Sequence, residues 1–151
     1  MANGVFNIVK GKIAYYAGLP AANDALIVVL LKSTGLVSDA TMVDYDDLAT
    51  ILAGASDECD FASYVRKTVT ASITVTVDDT NDRVDIDMPD LTWSAATTGQ
   101  AIGKLLVCYD PDTTTGTDSS VIPLTFHDFV ASTDGNDLVA TIATAGFARA
   151  A

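Results

Sequence analysis

Few groups in this chain could carry chemistry: one histidine, His127, two cysteines, Cys59 and Cys108, and 20 acidic residues of which only Glu58 is a glutamate. Acid–base and nucleophilic catalysis normally set a histidine beside a serine or cysteine held on a constrained turn. His127 falls instead in the alternating run Pro123-Leu124-Thr125-Phe126-His127-Asp128-Phe129-Val130, sharing a face with Thr125 and Phe129, which fits a structural role packed beside Phe129 or a surface one. No G-x-S-x-G elbow occurs, and the dispersed glycines form neither a G-x-G-x-x-G loop nor a Walker-type phosphate cradle. Cys59 and Cys108 have no activating motif; the expectation is two free, buried thiols, with a disulfide between them the open alternative. Two scattered cysteines and one histidine make no zinc site. The sequence therefore points away from an enzyme and names no cofactor.

Calcium is the one ion whose chemistry the composition invites. The Asp78-Asp79-Thr80-Asn81-Asp82 turn and the Asp110-Pro111-Asp112 turn gather hard oxygen ligands, with Asp78, Asp79 and Asp82 as weak candidates. Neither turn has the mid-loop glycine and closing glutamate of an EF-hand, and Asp and Asn already have a reason to stand in turns. Asp44, Asp46 and Asp47 precede a helical spacing of Leu48, Ile51 and Leu52, where carboxylates complement a helix N-terminus; Asp44 is placed to cap it and Gly54 to stop it. Trp93 reads as a core plug, with a sugar-stacking platform as the alternative.

The elements that would position these groups are mostly strands. From Tyr64 to Trp93 apolar and polar residues alternate up one arm, pass an Asp/Asn-rich turn and alternate back. Pairing Asp78 with Arg83 sets Val77 opposite Val84, Val75 opposite Ile86 and Ile73 opposite Met88, so the apolar faces coincide as in a half-buried hairpin. The unbroken apolar run from Ala25 to Leu31 reads as a central strand buried on both faces. Val5 to Lys10 and Ile13 to Ala17 read as two short strands or one kinked strand, with Gly11 a bulge and Pro20 the end. Ala101 to Tyr109, Ser120 to Val130 with Pro123 at an edge or interruption, and Leu138 to Ala143 complete about seven or eight strands, with turn signals roughly every ten residues. The expected fold is all-β and mainly antiparallel, a β-sandwich or jelly roll with one short helix near residues 45–53. Residues 1–62 would supply N-terminal strands, the helix and an anchoring region, residues 63–144 the sandwich, and residues 145–151 a loose tail, all within one structural domain. The loop Asp110 to Ser119 lacks an apolar anchor and is expected to be exposed and mobile.

Composition agrees. The 151 residues suffice for one unstapled core, and 19 threonines against a single glutamate and a single glutamine favour strands and turns over helices. A net charge of −12 with eight basic residues argues against nucleic acid as a partner. The longest apolar run is far below the ~20 residues of a membrane-spanning helix, and the first residues lack the pattern of a secretory leader, so no membrane partner is expected.

The segments Asp60-Phe61-Ala62-Ser63-Tyr64-Val65-Arg66, Val75-Thr76-Val77-Asp78-Asp79-Thr80-Asn81 and Asp90-Leu91-Thr92-Trp93 resemble a block in small virion structural proteins of tailed bacteriophages, in which a D-F-x-x-Y-x-R segment precedes a hairpin with a D-D-x-N turn and a D-x-T-W close. Lys104 to Asp110 and the Asp/Ser/Thr loop after it are similar as well, so the resemblance covers roughly residues 44–130. It implies a head-associated β-sandwich protein packed in many copies, most simply a capsid decoration protein on the virion exterior, made in the host cytoplasm. Its partners would be the major capsid protein and copies of itself, as a homotrimer. Other readings are a tail tube or tail terminator subunit, and a carbohydrate- or receptor-binding module displayed at Asp110 to Ser119. The resemblance brings no catalytic residue. Tyr64, Arg66 and Lys67 set two of the eight basic residues beside an aromatic and are candidate contacts to an acidic neighbouring subunit, with local strand-end solvation as the plainer reading.

Overall fold

The computed structural model describes residues 3–150, and its regular structure is mainly antiparallel strands. The central sheet has the order β1-β8-β7-β2-β3, from β1 (Gly4–Val5), β2 (Ala25–Lys32), β3 (Lys67–Val69), β7 (Ala101–Asp110) and β8 (Ile122–Ser132). A second sheet has the order β10-β5-β4, from β4 (Thr74–Asp78), β5 (Arg83–Asp87) and β10 (Ala148–Ala150), and a third pairs β6 (Leu91–Trp93) with β9 (Leu138–Ala140). Three short α-helices, α1 (Ile13–Ala17), α2 (Asp39–Met42) and α3 (Leu48–Ala53), and a 3-10 turn at Asn7–Val9 complete the described residues. The all-β, mainly antiparallel expectation holds.

The apolar run forms β2, and seven of its eight residues are buried. It lies between β7 and β3, so residues upstream of 62 supply a core strand rather than a separable arm. The ladder places Ile27, Val29 and Leu31 on one face with Cys108, Leu106 and Lys104, and Leu106 in turn pairs with Phe126. That face meets Phe6, whose ring stands edge-on to Phe126 at 5.4 Å, and the helical segment. Leu26, Val28 and Leu30 share the opposite face with Tyr109, Val107 and Leu105; there Tyr16 packs on Tyr109 at 4.9 Å. A cavity of about 290 Å³ separates Leu105 and His127 from Ala140 and Phe147, placing the small sheets and the tail over this side. The double burial read from the run thus arises within one chain.

Several local expectations change. Ile13 to Ala17 is a helix rather than a strand, since a turn at Gly11 (φ +81°) lets Ile13 and Ala17, one helical turn apart, bury together. The short helix begins at Leu48, and its cap is Asp47, whose Oδ1 accepts from Thr50 N at 2.7 Å; Asp44 instead accepts from the Asn7 side chain. Gly54 ends it as expected. Pro123 sits at an irregularity in the β7–β8 ladder, where a missing N–H costs no regular rung. The strand expected from Leu138 to Ala143 is shorter than its alternation suggested, ending at Ala140.

The hairpin has the anticipated register, Asp78 to Arg83, Val77 to Val84 and Val75 to Ile86, but not the anticipated burial. Ile86 is fully buried, whereas Val75 and Val77 are 40% and 66% exposed because β4 is the outer edge of its sheet. The tail is not loose: β10 pairs with β5, Ala148 opposite Ile86, and Phe147 N donates to Ile86 O at 2.9 Å. Cys59 and Cys108 are both buried and free.

Candidate functional site

The densest polar cluster lies at the edge of the central sheet, on the approach to β3. The chain around Glu58 runs alongside the end of β2: Cys59 N donates to Leu30 O at 2.9 Å, and Glu58 bridges Leu31. Tyr64 then reaches back, accepting from Leu30 N at 3.1 Å and donating its hydroxyl to Glu58 Oε1 at 2.8 Å. Arg66 lies over both. Its Nε and Nη2 donate to the two Glu58 oxygens at 2.8 and 2.7 Å, and its Nη1 and Nη2 donate to the two Asp118 oxygens, the latter at 2.9 Å. A planar guanidinium suits such forked donation, which a lysine could not reproduce.

Burial and ion pairing shift the titration of Tyr64, Arg66 and Asp118. Burial, reinforced by the Glu58 charge, pushes the Tyr64 phenol far above its ordinary range. Hydrogen bonds to Glu58 and Asp118 hold Arg66 charged, and the Arg66 hydrogen bond holds the Asp118 carboxyl below its ordinary value. The Cys108 thiol is driven up by complete burial. Both the Tyr64 phenol and the Cys108 thiol are thereby held in their neutral forms near neutrality.

Beside the cluster opens a cleft of about 570 Å³, floored by Ile27, Arg66 and Thr68 and rimmed by Asp110, the Thr113 to Gly116 turn and Asp118. The loop of Asp110 to Ser119 is therefore anchored, contrary to expectation, and by polar groups rather than an apolar residue. Thr113 N donates to Asn23 O at 2.9 Å, Ala49 N to Asp118 O at 3.1 Å, and Asp118 is clasped by Arg66. Asp112 folds the turn on itself by accepting from Thr114 N and from the Thr114 and Thr115 hydroxyls. The cleft can present hydroxyl and carboxylate acceptors to a polar ligand.

The other residues singled out in the sequence lie apart. Lys67 stands over the Trp93 ring at 5.5 Å, and Trp93, fully buried, donates Nε1 to Val65 O at 2.9 Å. Tyr64, Arg66 and Lys67 are thus each engaged within their own chain, the first two in the cluster and the third on the core plug. Asp78 accepts from Thr80 N, Asn81 N and Asn81 Nδ2 and pairs with Arg83, so its oxygens are committed to the turn. His127 Nε2 lies 2.8 Å from Thr125 Oγ1, and burial, then the Lys104 charge, lowers its pKa. Among the described residues, no group of three or more His, Cys, Asp or Glu side chains is arranged to hold a metal ion.

Sequence reasoning passed over Glu58 and Asp118, the two carboxylates that complete the cluster. Glu58 carried a signal in being the only glutamate; Asp118, in a polar loop 52 positions from Arg66, carried none. Compared with protein-family models, with curated proteins and with solved structures, the chain matches none of them.

Proposed function

We propose that this chain is a structural virion subunit, a capsid decoration protein of a tailed bacteriophage that assembles with copies of itself on the major capsid protein at the particle exterior. The supporting observation is the outer edge of β4. Its five pairs with β5 run without a register shift, its other side pairs with no strand among the described residues, and Val75 and Val77 stand exposed along it. β4 itself carries no lysine, proline or bulge, the devices by which monomeric proteins guard an edge strand. An exposed edge strand carrying Val75 and Val77 suits a subunit with a neighbour.

Quantitative mass spectrometry of purified particles tests this reading. The expected result is this protein at a copy number approaching that of the major capsid protein, and its absence from the particles would refute it. The cleft rimmed by Thr113 to Gly116 favours a second reading, a carbohydrate-binding module, for which a glycan array showing selective binding is the supporting result.

A further inference from the structure

Lys104 is the most deeply buried cation among the described salt bridges, its side chain only 6% exposed. It projects from β7 with its Nζ 2.7 Å from Asp128 Oδ1 on the neighbouring strand β8 and 2.7 Å from Asp39 Oδ1 in the first turn of α2. Phe126 lies beneath, 5.1 Å from Nζ to the ring centroid. One ammonium thus faces two carboxylates in a largely apolar setting. We propose that Lys104 and Asp128 condense into an intramolecular isopeptide bond, with Asp39 relaying the proton.

The positions assign the roles. Lys104 and Asp128 are direct cross-strand partners, so the ladder itself holds Nζ against the Asp128 carboxyl, and the backbone of Asp128 is pinned by donation to Asn3 Oδ1 at 3.0 Å. Asp128 is also the less exposed carboxylate, 20% against 34% for Asp39, which makes it the better-desolvated electrophile. Asp39, nearer to solvent, is the one placed to trade protons. Reacting groups held in contact by a rigid scaffold gain the large effective concentrations of intramolecular reactions.

The step balances. A proton passes from the ammonium to the Asp128 carboxylate, leaving a neutral amine against a carboxylic acid. The nitrogen lone pair attacks Cγ, Asp39 takes a proton from the nitrogen and returns it to the departing hydroxyl, the C–O bond breaks, and water leaves. One ammonium and one carboxylate become one amide and one water, with no oxidant and no change in net charge. Burial, the largest single influence on Lys104, favours the neutral amine, while the two carboxylates more than offset it; the ion pair is the resting state from which the bond forms. A groove bordered by Leu36, Val37 and Val130 gives the water an exit.

Intact-mass measurement on the denatured, full-length protein after prolonged incubation in its folded state tests the proposal, followed by digestion and fragment sequencing. The expected result is a mass short of the sequence value by one water, with Lys104 joined to Asp128. The Lys104→Arg variant, which keeps the charge but cannot condense, and Asp39→Asn, which removes the relay, should both show their full sequence mass while circular dichroism shows them folded. A wild-type protein that keeps its full mass overturns the proposal, as does a linkage to Asp39, and condensation in Asp39→Asn at the wild-type rate overturns the relay.

Discussion

Arg66 and Asp118, 52 positions apart, meet in a two-pronged ion pair that ties the approach to β3 to the loop between β7 and β8. The same guanidinium grips Glu58, eight positions upstream, so one side chain ties the local Glu58–Arg66 stretch to a distant loop. Asp118 is about a third exposed, and solvent screening reduces what the pair is worth. Asp118→Asn should cost about 1 kcal/mol at neutral pH. Arg66→Ala, which takes from Glu58 and Asp118 the guanidinium that both accept from, should cost about 2–3 kcal/mol. Urea denaturation of the two variants checks the order.

The acid limb of stability follows from the same pair. The Asp118 pKa is lower in the folded chain than in the unfolded one, so its contribution is complete above the unfolded value, near 3.9, and disappears as pH falls through the folded value. The stability gap between wild type and Asp118→Asn should therefore be constant from about pH 5 to 7 and close progressively below about pH 4. A gap that persists undiminished to the lowest pH at which the protein folds would assign the effect to something other than ionisation.

Calcium should not alter the thermal midpoint. Asp78 gives its oxygens to Thr80, Asn81 and Arg83, and those hydrogen bonds would have to be broken for it to become a ligand. Thermal unfolding in millimolar calcium and then in chelator should give superimposable curves, and a raised midpoint in calcium would show that Asp78, Asp79 and Asp82 rearrange around the ion.

Both thiols should resist alkylation in the folded protein. Burial raises the Cys59 pKa to about 12 and that of Cys108 further, leaving a negligible thiolate fraction at pH 8. Iodoacetamide should label neither residue until denaturant is added and then label both. Labelling of Cys59 alone under native conditions would report opening of the segment that bridges Leu30 and Leu31.

What could be read from the sequence was whatever a local pattern determines. The hairpin register follows from alternation on both sides of an Asp/Asn turn, and the burial of β2 follows from a run with no polar face. What could not be read depends on partners far along the chain. Val75 and Val77 look like core residues by alternation and are exposed because β4 is the outer strand of its sheet. Ile13 to Ala17 suits either a strand or a helix, and the turn before it together with Tyr109 beneath it decides for the helix. The Arg66 cluster needs Asp118 from a loop whose composition signals only solvent, so no spacing rule could assemble it.

The tail turns on a single glycine. Gly146 has φ +84°, and a β-carbon added there would lie 2.1 Å from Ile86 O, a backbone atom that cannot swing aside. The close approach is what lets Phe147 N reach Ile86 O and β10 complete the sheet beside β5, with Arg149 Nε donating to Asp85 Oδ1 at 2.6 Å. Gly146→Ala imposes both a left-handed backbone cost and a steric clash, together about 2–4 kcal/mol, which exceeds what three residues of edge pairing return. The variant should therefore release β10 while the five-stranded sheet remains folded. Limited trypsin digestion reads this directly: cleavage after Arg149 should be slow in the wild type and rapid in Gly146→Ala, and equal rates would mean that the tail already detaches without the substitution.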